Sequence, residues 1–500
     1  MITRPRTSDL KIVGLYAGKI IVGVGLLMIV PLVVALLFAE WNVALDFLIG
    51  MGACFSAGFL MQLAGQTQRD LNWWHGMVVA SFSWLLAMVL GAIPHYLSGH
   101  FGSYLDASFD LMSGYTTTGL YLLQDLDHIS NGLNTWRHLL TYAGGQGIIV
   151  IALTFLVKGT AGAYKMYASE GKEEKLLPNV IQTARAIWLV SLAYLVIGSL
   201  ALWAAGLLIG LPALRALLHG VWVFMGAWST GGFAPQSYNI GYYHSLLFEI
   251  ITIVIFVVGS FNFALHWAVW TGKRREIVRN IEIVSFFITL MLTVTIATVG
   301  LAKAGVYTDT MAMFRKGFYH LASGHTTTGF GTIASRQFVV QWGALGMIGT
   351  IIAMAIGASA ASTAGGFKGL RIGIIFKALI QDVKRVMSPG NAVVASWYHH
   401  IKDTMLTDTQ VRAAMLVVLS YIGIYSLGSV LGVYYGYDVL SAIFDSVSAG
   451  SNTGLSAGLV SPAMPDVLKV VYILQMWMGR LEFMSIFALI GFGIAFVRGK

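Results

Sequence analysis

Ser113-Gly-Tyr-Thr-Thr-Thr-Gly119 decides how this chain is read, because the pattern returns three times. The copies are Met225-Gly-Ala-Trp-Ser-Thr-Gly231, Ser323-Gly-His-Thr-Thr-Thr-Gly329 and Ser448-Ala-Gly-Ser-Asn-Thr-Gly454. Aligned without gaps, their final glycines are 112, 98 and 125 residues apart. Each copy follows a short semi-polar stretch, such as Tyr104–Leu111 or Asp438–Val447, and lies between two long apolar runs. Such a stretch makes about three helical turns, too few to cross roughly 30 Å of hydrocarbon. The repeating unit is therefore a span, a re-entrant half-helix, a hydroxyl- and glycine-rich strand, and a second span. Packing between helices also favours small residues, but it does not call for four copies after four half-helices.

The surroundings agree. Of 500 residues, 57% are apolar and only 11% charged, against roughly 25% charged in soluble chains. Mean hydropathy is +0.75. Such a chain is an all-α polytopic membrane protein, with lipid as its main solvent. Spans are expected at about 20–39, 43–63, 72–97, 137–157, 187–211, 242–270, 283–304, 340–366, 411–435 and 466–497. The expected divisions are two extra N-terminal spans (1–70), then repeats at 71–165, 180–275, 279–390 and 405–500. Ten crossings leave both termini on one side, and 23 of the 31 Lys and Arg residues fall on that face, so it is the cytosol. The net charge of +9 then records orientation and implies no nucleic acid. A single cysteine, Cys54, excludes a disulfide framework, and no phosphate-binding G-x-x-x-x-G-K-[ST] loop is present.

Four polar strands around one axis would present rings of carbonyl oxygens, which can replace the water around a monovalent cation. The strand residues are Thr117, Thr118 and Gly119; Ser229, Thr230 and Gly231; Thr327, Thr328 and Gly329; and Asn452, Thr453 and Gly454. The pair Trp228-Ser229 in the second copy and Ser451-Asn452 in the fourth replace Thr-Thr. Half-helices entering from outside would turn their partly negative C-terminal ends toward the centre, which favours cations.

With these segments the chain resembles the TrkH-like subunits of the Trk/Ktr/HKT superfamily of potassium transporters. The resemblance rests also on Gly144-Gly-Gln-Gly-Ile-Ile149, Gly259-Ser-Phe-Asn-Phe-Ala-Leu-His266, Gly357–Gly366 and Gly479-Arg-Leu-Glu482, which follow the four strands in turn. The two extra N-terminal spans favour the Trk type over the Ktr type. The resemblance implies no enzyme but four M1-P-M2 repeats around a potassium pore in the bacterial inner membrane. It further implies a homodimer and a TrkA-like cytosolic regulatory subunit, with nucleotide only on that partner and no cofactor bound covalently here. Potassium is the cargo, held at the four strands as the pore's metal-binding selectivity filter. Whether uptake is a symport with protons or sodium stays open.

In the resembling family the segment matching Gly357–Gly366 is an intramembrane loop that blocks the pore. Here Gly357, Ser359, Ser362, Thr363, Gly365 and Gly366 stand among alanines, with no large side chain to keep the backbone from the axis. Arg480 is the second gate candidate, since so deep a charge faces a cavity or a partner; a structural salt bridge to Glu482 is the alternative. Asp110 and Asp445 share a register nine residues before Gly119 and Gly454. They would gather cations at the outer mouth or serve as caps. An intramembrane aspartyl hydrolase is a remote alternative. His399-His400 reads as a solvated pair. A coupled transporter built from inverted halves is a further alternative, against which the four copies all enter from one face.

Overall fold

The computed structural model describes residues 6–69, 71–123, 125–147, 180–307, 309–389 and 392–498. Its one described sheet is a hairpin, β1 (Trp397–His400) antiparallel to β2 (Lys402–Met405); the other regular elements described are helices. Two hairpinned segments lead. Thr7–Leu27 continues after Met28 as Ile29–Leu37, and Trp41–Ala64 packs back against it.

Four units follow, each a first helix, a pore helix and a second helix. The first helices are Trp73–Leu97, Val180–Leu208, Ile281–Ala304 and Asp408–Tyr434. The pore helices are Tyr104–Tyr115, Ala213–Trp228, the consecutive pieces from Thr310 to His325, and Val439–Gly450. The second helices begin at Asn131, Leu246, Ser335 and Asp466. Local chemistry starts them where they start. Side chains of Ser103, Ser130, Ser245 and Asp438 accept the free N–H groups of first turns, while Pro212 and Pro465 precede helices as rigid entry residues. At 12 residues, the first and fourth pore helices reach about 18 Å, so they stop inside the membrane.

The periphery is apolar and exposed, as lipid contact requires: Leu60, Val196, Ile288, Leu419 and Val430 are each more than half exposed. The interior is the polar part. Thr116–Thr118, Ser229, Thr230, Thr326–Thr328 and Ser451–Thr453 are all buried at the centre.

Of the ten expected spans, seven are helices long and apolar enough to cross a membrane, among the described residues. Two more are bent pairs and not straight spans: Leu246–Gly259 meets Phe263–Trp270 at 98°, and Asp466–Leu481 meets Met484–Arg498 at 114°. The expected 137–157 span is described only to residue 147, and Ile148, Ile149, Lys158, Lys165, Lys172 and Lys175 lie outside the described residues. The expected 340–366 span ends at Ile356. Periodicity sees only apolar length, and cannot tell a span from two short helices joined at a polar corner.

Candidate ion-conduction pore

Each pore helix ends the same way. Two residues beyond its last helical residue the backbone turns left-handed, at Thr117, Thr230, Thr327 and Asn452 (φ 55°, 49°, 54° and 57°). Two residues later comes a positive-φ glycine: Gly119, Gly232, Gly329 and Gly454 (φ 92°, 64°, 82° and 93°). Between them, the amides of Thr118, Gly231, Thr328 and Thr453 each donate to the carbonyl five residues back, at 2.8–2.9 Å.

This corrects the second copy. The expected equivalent of Gly119 is Gly231, but the backbone puts Gly232 there and Gly231 in the place of Thr118. The structural match is Trp228-Ser-Thr-Gly-Gly232 to Tyr115-Thr-Thr-Thr-Gly119, so Ser229 replaces Thr116 and not Thr117. A gapless alignment weights identical letters, whereas the register is set by where the helix stops. The signal in the sequence was the doubled glycine after an aromatic residue.

One hydroxyl is thereby lost. In the first, third and fourth strands a hydroxyl pair braces the turn: Thr116 with Thr118 (2.8 Å), Thr326 with Thr328 (2.8 Å) and Ser451 with Thr453 (2.7 Å). In the second, Thr141 on the second helix of unit one reaches across to Ser229 Oγ at 3.2 Å. A Cβ on Gly231 would overlap Thr141 Oγ1. Thr141 is a residue that sequence reasoning missed.

The four strands close into a ring. A Cβ on Gly119 would come within 2.6 Å of the Gly231 carbonyl oxygen. On Gly232 it would overlap that of Thr328, on Gly329 that of Thr453, and on Gly454 that of Thr118. The four oxygens come from equivalent positions under the corrected register, and each lies against the glycine of the preceding unit. Positive φ and this close approach both require glycine. Beside the glycine end of the ring lies a vestibule of about 400 Å³, bordered by Gly119, Gly329, Gly454, Tyr121, Asn239 and His320.

At the other end the chain between Gly357 and Lys368 crosses beneath the strands. Thr117 Oγ1 donates to Thr363 O (3.3 Å), Thr230 Oγ1 to Thr363 Oγ1 (3.1 Å), and the Gly365 amide to Thr327 Oγ1 (2.8 Å). A Cβ on Gly365 would overlap the Ser451 carbonyl of the fourth strand. The segment thus touches all four strands at their left-handed residues or next to them. Asn452 departs from the others: its side-chain Nδ2 donates to Thr118 Oγ1 (3.0 Å) and Met476 O (2.8 Å).

Arg480 reaches the same segment. Its guanidinium donates to Thr363 O (2.8 Å) and to Gly144 O and Gly145 O (2.6 and 3.0 Å), tying the loop to the second helix of unit one. Glu482, the alternative partner for Arg480, instead accepts from Lys368 Nζ (2.5 Å) and from Arg371. Arg480 and Glu482 therefore hold the loop at its middle and at its exit. The glycines preceding the breaks permit this crowding: Cβ atoms on Gly144, Gly259 and Gly479 would overlap the Tyr115, Trp228 and Gly450 carbonyls at the pore-helix ends.

The two acids of shared register serve structure. Asp110 is fully buried and receives Arg137 Nε (3.1 Å) and Nη2 (3.3 Å), with His95 Nε2 at 3.1 Å. Asp445, also fully buried, accepts from Ser456 Oγ (2.9 Å) and the amides of Ala457, Leu459 and Val460 beyond the strand. Their separate ionic and amide partners leave no shared-proton pair. His399-His400 is not a free pair either: His399 Nε2 lies 2.9 Å from Glu276 and Nδ1 2.7 Å from Asp403. Among the described residues, no group of three or more His, Cys, Asp or Glu is placed to hold a metal ion.

A helical membrane protein whose four pore-helix units close one ring of carbonyls defines the class of pseudo-fourfold pore proteins. Residues 44–491 match the TrkH family model, described as "Cation transport protein". The chain belongs to this family, and it is a multi-pass membrane transport protein rather than an enzyme. It is 32% identical to an uncharacterized cation transporter of Methanocaldococcus jannaschii, over 94% of this chain and 93% of that protein. It is 27% identical to the Trk system potassium uptake protein TrkH of Salmonella typhimurium, over 92% and 94%. The crystal structure of the potassium transporter TrkH from Vibrio parahaemolyticus superposes with a TM-score of 0.80 at 24% identity, covering 96% and 98%. That likeness carries the fold.

Proposed function

We propose that this chain takes up potassium through the carbonyl ring, as a selectivity filter gated from below. The observation that carries the reading is the closed ring itself: four equivalent peptide oxygens, those of Thr118, Gly231, Thr328 and Thr453, brought together by glycines. Such oxygens can substitute for the water around a monovalent cation. The relatives named for potassium support that choice of ion. The filter residues are Thr117–Gly119, Thr230–Gly232, Thr327–Gly329 and Asn452–Gly454.

In this reading Gly357–Gly366 and Arg480 are the gate. The loop obstructs the axis at the end of the ring away from the vestibule, and the guanidinium adds a positive charge beside the path. Both termini lie in the cytosol of a bacterial inner membrane, where the basic face is placed, and the membrane potential, about 2.3 kcal/mol per charge per 100 mV, then favours inward movement. The working assembly is a homodimer with a cytosolic nucleotide-binding subunit that opens the gate.

The test is rubidium and potassium flux into liposomes carrying the purified protein. Flux down a gradient is expected, and its absence with intact folding removes the pore. Gly119→Ser should raise sodium flux relative to potassium. Shortening 357–366, or Arg480→Ala, should raise basal flux; unchanged flux in both removes the gate.

A further inference from the structure

The gate loop has a further attachment that neither the filter, Arg480 nor Glu482 supplies. Glu282, buried at the second position of the first helix of unit three, accepts from Ser359 Oγ (2.9 Å) and from the Ala360 amide (2.7 Å). One carboxylate thus holds two consecutive residues of the loop. The same carboxylate lies 3.9 Å from His400 Nδ1, on the hairpin β1–β2 far along the chain. His400 also approaches Asn280 Oδ1 (3.4 Å), which in turn caps that helix by accepting from the Glu282 amide (3.0 Å). His399, beside it, bridges Glu276 and Asp403. Tyr398, just before them, is buried with Ile281, Ile374 and Ala414.

We propose that Glu282 is a positioning residue that couples the hairpin Trp397–Met405 to the gate loop, holding the loop closed while the hairpin is seated. This rests on the loop being the gate. The line of contact is short and continuous: His400 to Glu282, Glu282 to Ser359 and Ala360, and the loop to the filter strands. Seating the hairpin keeps the helix start capped and the carboxylate oriented. Withdrawing His399 and His400 from Glu276, Asn280 and Glu282 frees that carboxylate to turn from the loop. The hairpin edge is accessible, with Trp397 58% and Met405 47% exposed, and Tyr398 is the side chain that seats it on the helices.

The experiment uses the full-length protein in liposomes without any partner, with rubidium flux as readout. Glu282→Ala should raise basal flux about tenfold, the scale expected when a charged hydrogen-bond acceptor is removed. The hairpin double variant His399→Ala/His400→Ala leaves every membrane helix intact and should also raise it. The decisive result is their combination: the triple variant should be no leakier than Glu282→Ala alone, because both act through one contact. Wild-type flux in the hairpin variant, or effects that multiply, overturns the coupling. The shortened-loop protein separates the two failures. If it leaks while these variants do not, only the coupling falls; if none leaks, the gate reading falls as well. Should Glu282→Ala not fold, Glu282→Gln with hydrogen exchange at the Ala360 amide replaces it. Faster exchange there, both in that variant and on hairpin substitution, is expected, and unchanged exchange overturns the proposal.

Discussion

At the scale of single residues, the second strand of the carbonyl ring departs most from the others. Thr141 and Gly231 are a matched pair: the hydroxyl missing from one unit is provided by a neighbouring helix, in the space a side chain at 231 would need. Gly231→Ser should therefore destabilise by about 1–3 kcal/mol through overpacking. Thr141→Ala in the same protein should restore most of that loss, as thermal unfolding in detergent would report. A single-variant loss that Thr141→Ala leaves untouched would contradict the pairing. Glu482 supports a second prediction. Its side chain and those of Lys368 and Arg371 are largely buried, and removing one member of a buried ion cluster costs about 3–5 kcal/mol. Glu482→Gln should lower the midpoint of unfolding clearly, and Lys368→Met/Glu482→Gln should lower it less.

At the scale of elements, helices were legible and their corners were not. The first and fourth half-helices could be read from length alone, because 12 residues cannot cross the bilayer. The breaks at 260–262 and 482–483 were hidden, since apolar residues continue on both sides and a few polar or charged residues, Ser260 and Asn262 or Arg480 and Glu482, do not by themselves show a corner. The loop 357–366 was visible because it lacks any large side chain. Its anchors were not, as Glu282 and Glu482 approach it only in space. The hairpin was missed as well, and with it the role of His399. Both ring nitrogens of His399 face carboxylates, so the imidazolium is the form that can donate to both. Asp403, and then Glu276, raise its pKa above the usual histidine value of about 6.5. A raised folded pKa means that this anchoring is complete below about pH 6.5 and is lost as pH climbs through the folded value. Hydrogen-exchange protection across Trp397–Met405, corrected for intrinsic rate, should fall with rising pH in that window. In His399→Gln it should not change.

For the molecule as a whole, the fourfold repeat was legible because four similar strings of letters stand in matching topological positions. The one-residue error in the second string arose because letters were matched where turns should have been. Under the corrected register, Gly232→Ser should disturb potassium over sodium preference as Gly119→Ser does, measured by paired fluxes in the same liposomes. If only Gly231→Ser does so, the register is wrong.

The glycine contacts also run in a single rotational sense, from unit one to two, two to three, three to four, and four back to one. The ring of strands is thus a hoop whose circumference is the sum of four contacts, none of which leaves room for a side chain at its glycine. Enlarging any one joint must widen the aperture or push the neighbouring strand, and the push is handed on around the circle. Ion preference in such a hoop belongs to no strand separately. Four joints in one polypeptide can drift independently, yet each is limited by the tolerance of the other three.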